Sequence, residues 1–216
     1  MITHVPPPQC VLASASPRRA ELLRAAGFTF DVLPGTADEQ VLAGETPLAY
    51  VQRVAAAKAA TVVGRVGGRL VLAADTIVVV GTQILGKPVD GADAERMLRL
   101  LSGGTHEVLT AVTLVAGGRT RTEVERTTVE VAPLTDEEIR WYVASGESAD
   151  KAGAYAIQGL ASRFVVRLEG SYSNVVGLPI ALVYRMLREA TLADPAEEAA
   201  RQSSAADSGE PGQSMV

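Results

Sequence analysis

Cysteine occurs once, at Cys10, and histidine only twice, at His4 and His106. A single thiol cannot close an intrachain disulfide, which fits a reducing compartment. So few imidazoles and thiols nearly exclude a zinc site of the His/Cys type and leave little from which to build a Cys–His nucleophile. Aromatic residues make up only 4% of the chain. Proteins that grip single-stranded nucleic acid stack bases on aromatic side chains, so that class is disfavoured. A formal net charge of -5 also argues against coating a polyanion, though a local cluster of Lys and Arg can still bind a small anion. No stretch approaches the roughly 20 apolar residues needed to span a bilayer, so no membrane partner is expected. Residues Met1 to Gln9 lack the basic-then-apolar pattern of a signal peptide. No Gly-x-Gly-x-x-Gly follows a strand, and the Walker spacing is missing.

What is present is a core built from Val, Leu, Ile and Ala. The 216 residues suffice for one domain, or for two small lobes around a cleft. A first strand starts at Cys10, and Ser16-Pro17 reads as an N-cap and first turn of a helix that Gly27 ends, with Leu22, Leu23 and Ala26 inward. Phe28 to Leu33 reads as a strand. Thr46-Pro47 opens a long helix to about Val63, with Leu48, Val51, Ala55 and Ala59 on one face. Leu70 to Val80 is a strand, Gly81-Thr82 a turn into Ile84-Leu85, and Gly91 to Leu101 an amphipathic helix. His106 to Ala116 and Arg119 to Ala132 form a hairpin with one wet face. Thr135 to Glu138 is a capping box, Phe164 to Leu168 a strand, and Pro179 the start of a last helix to about Ala190. Alternating strands and helices with inserted hairpins predict an α/β or α+β protein with a mixed sheet flanked by helices. The single domain is expected to occupy residues 1–193. Residues 194–216 are poor in large apolar side chains and read as a disordered tail.

Asp75 stands out because it interrupts the otherwise apolar run Leu70–Val80. An ionised carboxylate there is costly to desolvate without a partner, a metal or a reaction to serve. A strand-end or bulge Asp, or one paired with a structural cation, is the plain alternative. Ser14, Ser16, Arg18 and Arg19 surround a helix N-terminus, where backbone N–H groups and the helix dipole already favour an anion. Basic residues in a first turn oppose that dipole, so phosphate binding explains them better than stability does. Lys58, Lys87 in Gly86-Lys87-Pro88, the Asp38-Glu39 pair and Gln158 are each weaker signals. Each is compatible with solvated surface, or with binding phosphate, a hard cation or a base edge. The polar segment Gly170–Asn174 reads as a second polar loop, or as a turn and helix cap. Carboxylates with Lys and Arg are the kit for metal-assisted chemistry on phosphate esters.

Taken in order, Ser14-Ala15-Ser16-Pro17-Arg18-Arg19-Ala20-Glu21-Leu22-Leu23, Asp38-Glu39, Lys58-Ala59, Ala74-Asp75-Thr76, Gly86-Lys87-Pro88, Gly153–Gly159 and Gly170-Ser171-Tyr172 through Gly177-Leu178-Pro179 resemble the Maf family of nucleoside triphosphate pyrophosphatases. The resemblance covers about Val11 to Glu189. It implies a two-lobed α/β fold with a central cleft, similar to the inosine triphosphate pyrophosphatases. It also implies hydrolysis of a nucleoside triphosphate between the α and β phosphates, a divalent metal (Mg²⁺ or Mn²⁺), a cytoplasmic location and often a homodimer. The family is linked to septum formation and to removal of non-canonical nucleotides. By position, Asp75 matches the proton acceptor, and Arg18, Thr76 and Gln158 match specificity positions. Ser14, Arg19, Lys58 and Lys87 match phosphate-binding positions, and Glu39, with Asp75, a metal-binding one. Asp38 departs mildly from members with Glu there. Asp75-Thr76 with Gln158-Gly159 resembles the subgroup acting on dTTP and UTP, rather than the one acting on 7-methyl-GTP. A non-catalytic nucleotide-binding regulator of cell division, or a phosphatase releasing single phosphates, is the rival reading.

Overall fold

The computed structural model describes residues 9–192. The tail expected over 194–216 lies outside the described residues. Seven strands form one mixed sheet: β1 (Cys10–Leu12), β2 (Phe30–Val32), β3 (Leu70–Val80), β4 (Gln83–Leu85), β5 (Thr105–Ala116), β6 (Arg119–Val131) and β7 (Val165–Glu169). Their order is β2-β1-β3-β5-β6-β7, with β4 also paired to β3. β1 runs parallel to β2 and β3, and the other pairings are antiparallel. Six helices accompany the sheet: α1 (Pro17–Ala25), α2 (Pro47–Val63), α3 (Gly91–Leu101), α4 (Asp136–Ala144), α5 (Tyr172–Val176) and α6 (Ile180–Leu192). The α/β class and mixed sheet expected from the sequence are what the chain adopts.

β3 organises the molecule because its two faces meet different helices. Val71, Ala73, Ile77 and Val79 pack toward α2, against Val51, Val54, Ala55, Ala59 and Val62. Leu72 and Ala74 face the other way, onto Leu23 of α1 and Leu182, Val183 and Met186 of α6. Val78, also on that second face, joins a separate cluster with Leu98 of α3 and Ile139 and Tyr142 of α4. Period-two alternation therefore places Asp75 on the α2 face and Thr76 on the opposite one. The buried stripe of α2 differs from expectation at one end: Leu48 is 44% exposed, and Lys58 falls in register with Val51, Val54 and Val62. In α1 Ala20 and Leu23 are buried and Leu22 packs partly against the same cluster, whereas Ala26 lies past the helix end and is exposed. The noisy alternation of β6 has a simple cause. Only its far end, at Thr127, Val129 and Val131, is buried, while Val124 packs partly against the α2 cluster.

Between the two clusters on the second face runs a polar seam. Thr76 Oγ1 and Thr110 Oγ1 lie 2.9 Å apart, and Thr110 donates to the carbonyl of Asn174. Asn174 is fully buried, and its Nδ2 donates to the Val108 carbonyl (3.0 Å) and Thr127 Oγ1 (2.9 Å). This ties α5, a short helix capped by Ser171 within the segment read as a second polar loop or a turn and helix cap, to β5 and β6. Truncating Asn174 removes both of these buried bonds, although Thr127 Oγ1 keeps the Ser171 N–H, a cost of about 2–3 kcal/mol. Asn174→Ala is expected to lower unfolding free energy by about that amount in urea titration, with the slope unchanged.

His106 is the other buried polar group with a physical signature. Its Nε2 meets Tyr155 Oη at 2.8 Å, the two rings packed edge to face. Burial pushes its pKa down to about 4, so the folded protein holds it neutral. The unfolded chain binds that proton from about pH 6.5 downward. The stabilising effect is therefore complete above pH 6.5 and is lost as pH falls toward 4. Between pH 7 and pH 5, urea titration is expected to show a loss of about 2 kcal/mol, largely absent in His106→Gln.

Candidate active site

The cleft opens where the edge of β3 is uncovered. β1 pairs with β3 at Leu70–Leu72 and β4 pairs with it at Val78–Val80, so on that edge neither strand covers residues 73–77. After Leu12 the chain leaves the sheet through Ala13-Ser14-Ala15 and enters α1. The α1 N-terminus therefore looks across the gap at Asp75 and Thr76. Because successive side chains of β3 point to opposite faces, both residues line the same cleft from different sides.

On the α2 side, Lys58 Nζ donates to Asp75 Oδ1 (2.7 Å) and also meets Glu39 Oε1 (2.6 Å). The Lys58 and Asp75 side chains are 12% and 10% exposed, so this is a largely desolvated ion pair. Glu39 is half open to solvent. Burial alone would raise its carboxyl pKa, but the Lys58 bond and charge, with Lys87 and Arg19 beyond, hold it below the usual carboxylate range. Glu39 arrives on the long loop between β2 and α2. Gly35 brings that loop down on the helix: a Cβ there would meet the Lys58 carbonyl oxygen at 2.2 Å, so only glycine fits.

On the opposite side, Arg19 is a brace. Its Nε donates to the Gly177 carbonyl (2.8 Å), Nη1 to Ser14 Oγ (3.1 Å) and Nη2 to Thr76 Oγ1 (3.0 Å). Burial lowers its pKa and Asp75 opposes that shift. Ser14 is buried, accepting from Arg19 and from the Ser16 backbone N–H, and is not among the side chains lining the cleft. Ser16 stands at the N-cap of α1 as expected, but its side chain makes no capping bond and it lines the cleft. Gly177, at φ +127°, ends α5 and turns its carbonyl to Arg19.

Arg18 points along the mouth and pairs with Asp150 (Nη1 to Oδ2, 2.9 Å). Lys151 contacts the same carboxylate, and the two cations hold the Asp150 pKa down at about 2, the Lys151 contact contributing most. Lys87 and Gln158 also line the cleft, both with exposed side chains. Of the residues singled out from the sequence, Arg18, Arg19, Glu39, Lys58, Asp75, Thr76, Lys87 and Gln158 are thus brought together, while Ser14 stands behind Arg19. Sequence reasoning missed Asp150 and gave no role to Lys151 or Tyr50. Lys151, at the head of the glycine- and alanine-rich stretch Ala152–Gly159, was the available signal. Asp150 and Tyr50 carry none, since an exposed loop acid and a helix tyrosine are ordinary.

The lining holds five cationic side chains (Arg18, Arg19, Lys58, Lys87, Lys151) and three acidic ones (Glu39, Asp75, Asp150). A chain with net charge -5 therefore folds a locally positive cleft, suited to a polyanionic small molecule. The Maf-like protein family model matches residues 9–190, nearly the whole of the described chain. The chain belongs to the Maf family. A Koribacter versatilis (strain Ellin345) relative named dTTP/UTP pyrophosphatase is 54% identical over 180 residues, covering 83% of this chain and 93% of its own. An Anaeromyxobacter dehalogenans (strain 2CP-C) protein of the same name is 53% identical over 195 residues, covering 88% and 98%. Among solved structures, the Staphylococcus aureus Ham1 protein covers 84% of this chain and 98% of its own at a TM-score of 0.49 and 13% identity, too slight a likeness to carry an argument.

Within this Maf cleft, the bracing role of Arg19 has a direct test. Lysine keeps the charge but cannot reach the Gly177 carbonyl, Ser14 and Thr76 together. Arg19→Lys is expected to destabilise the fold by about 2 kcal/mol, read as a lowered thermal midpoint.

Proposed function

We propose that this protein hydrolyses dTTP and UTP, and modified pyrimidine nucleoside triphosphates, to the monophosphate and pyrophosphate. The observation that carries the proposal is Asp75: a carboxylate on a buried strand, opposite a cluster of cations in a cleft open at the sheet edge. The names of relatives at 53–54% identity supply the substrate class. A family of cytoplasmic enzymes acting on free nucleotides fits the single buried thiol of Cys10 and a cleft lined by side chains rather than an open basic face.

In this reading Asp75 orients water for in-line attack on the α phosphorus and accepts its proton. Lys58 holds one oxygen of that carboxylate, which fixes the direction of the other. Lys58, Lys87 and Arg18 offset charge on the triphosphate as pyrophosphate leaves. Thr76 and Gln158, with Arg18, select the base and sugar. Arg19 and Ser14 support this reading as the frame that sets Thr76, not as phosphate ligands of first resort.

The donor set also fits a hard divalent cation. Glu39 and Asp75 present carboxylate oxygens to one positive centre, the Lys58 ammonium, and phosphate oxygens would complete an all-oxygen shell of the kind Mg²⁺ or Mn²⁺ takes. Held there, such an ion would withdraw charge from phosphoryl oxygens. A homodimer and a connection with septum formation rest on the family resemblance alone.

The test is a panel of nucleoside triphosphates with separate detection of pyrophosphate and orthophosphate. Pyrophosphate release from dTTP and UTP is expected. Orthophosphate instead would favour a phosphatase, and binding without turnover a nucleotide sensor. Asp75→Asn is expected to cut kcat about 10³-fold or more while UTP affinity changes little, measured by calorimetry. Near-normal turnover in that variant would remove Asp75 from the mechanism.

A further inference from the structure

Residues 33–46, between β2 and α2, form a long segment without regular secondary structure. Loops of this length need something to hold them. Apolar packing secures only its first part: Leu33 and Ala37 pack partly against the α2 clusters, whereas Val41 and Leu42 are each 53% exposed. Yet Glu39, half exposed and near the middle of the loop, is set within 2.6 Å of Lys58.

Three consecutive backbone carbonyls explain that placement. Arg53 Nη1 donates to the Asp38 carbonyl (3.1 Å) and Nη2 to the Gln40 carbonyl (2.9 Å). Between them, Tyr50 Oη donates to the Glu39 carbonyl (2.9 Å). Arg53 is itself fixed by a forked bond to Glu45 (Nε to Oε1 2.6 Å, Nη2 to Oε2 2.9 Å) and by its guanidinium lying 5.4 Å from the Tyr50 ring centre. Glu45 in turn accepts from the Leu42 N–H (3.0 Å). One turn of α2 thus grips the main chain on both sides of Glu39, while the next turn supplies Lys58 to its side chain. The Arg53 and Glu45 side chains are 30% and 7% exposed, and their partly buried pair joins only this loop to the α2 turn beside it. Its effect is geometric. It turns a mobile acidic loop into a fixed wall of the cleft.

We propose that Arg53, with Tyr50, is the positioning residue for Glu39: it touches no reacting group and acts on catalysis only by holding the 38–40 backbone so that the Glu39 carboxylate faces Lys58 and Asp75. This rests on the pyrophosphatase reading given above. Lysine is no substitute, because one ammonium cannot reach two carbonyls and a carboxylate in a planar fork.

The experiment has two arms. In the first, amide hydrogen exchange over residues 36–44 is measured in the wild type, Arg53→Lys and Arg53→Ala. Protection is expected to fall in both variants with the rest of the chain unchanged. Retained protection in Arg53→Ala overturns the proposal whatever the enzyme's activity. In the second arm, pyrophosphate release from UTP is compared for the wild type, Arg53→Lys, Arg53→Ala, Glu39→Gln and the Arg53→Ala/Glu39→Gln double variant. Displacing a site group by an ångström costs roughly 10²-fold, so Arg53→Ala is expected to lose about 10- to 100-fold in kcat/KM. The double variant is expected to lie within about twofold of Glu39→Gln alone. Multiplying effects, or full rescue by Arg53→Lys, would show that Arg53 acts through its charge or independently of Glu39. A wild type that releases no pyrophosphate would sink the functional reading while leaving the exchange arm to judge the clamp.

Discussion

The ammonium of Lys58, wedged between Asp75 and Glu39, is the contact on which the site depends. Asp75 lies in the middle of a strand whose neighbours on the same face are Ala73 and Ile77, and α2 covers it. A carboxylate so placed needs a cation to meet it, because desolvating it alone is costly. Lys58 meets it because it occupies the inward stripe of α2, where an apolar residue would ordinarily sit. The pair is therefore not a surface bond added to a finished fold. Burying two charges without each other is strongly unfavourable, so each requires the other.

Around that pair the cleft is assembled from pieces that are far apart in sequence. The gap between β1 and β4 admits solvent to the middle of β3, the α1 N-terminus faces it, and the loop before α2 closes one side. Arg19 spans three of these pieces at once, joining α1, the end of α5 and β3 through separate nitrogens. A guanidinium suits this role because its donors are rigidly spaced in one plane. The polar seam of Thr76, Thr110 and Asn174 continues the same network into the sheet, where it divides the apolar clusters of the second face.

Much of this was legible in the chain because the relevant signals are local. The strand Leu70–Val80 announced itself by its apolar run, and Asp75 by interrupting it. Ser16-Pro17 and Thr46-Pro47 marked helix starts, and Thr135 with Glu138 a capping box that the structure contains in full. Misreadings arose where tertiary placement decides. Leu48 fits the helical period of α2 but lies at an end that nothing covers. The segment around Lys58 left it open between solvated surface and phosphate binding, because periodicity alone does not reveal that the facing strand offers a carboxylate. For Ser14, given a phosphate-binding place by resemblance, the burial beneath Arg19 was not legible, because it depends on where the chain leaves β1. α5 was legible only as the helix-cap alternative for Gly170–Asn174, because five residues are too few to show a period, and Arg53 was silent because its partners there include main-chain carbonyls, which every sequence possesses.

The alternation of β3 has a consequence for how such a protein can diverge. Asp75 and Thr76 are adjacent in the chain, yet their side chains belong to separate packing environments, one under α2 and the other beside Arg19 and α5. A change of residue at Thr76, or in the turn around Gly177, is felt by the second environment and leaves the Lys58 contact undisturbed. In the proposed reaction, the proton-accepting residue and one of the selecting residues thus occupy separate compartments of one strand, and mutation can explore the second without first dismantling the first.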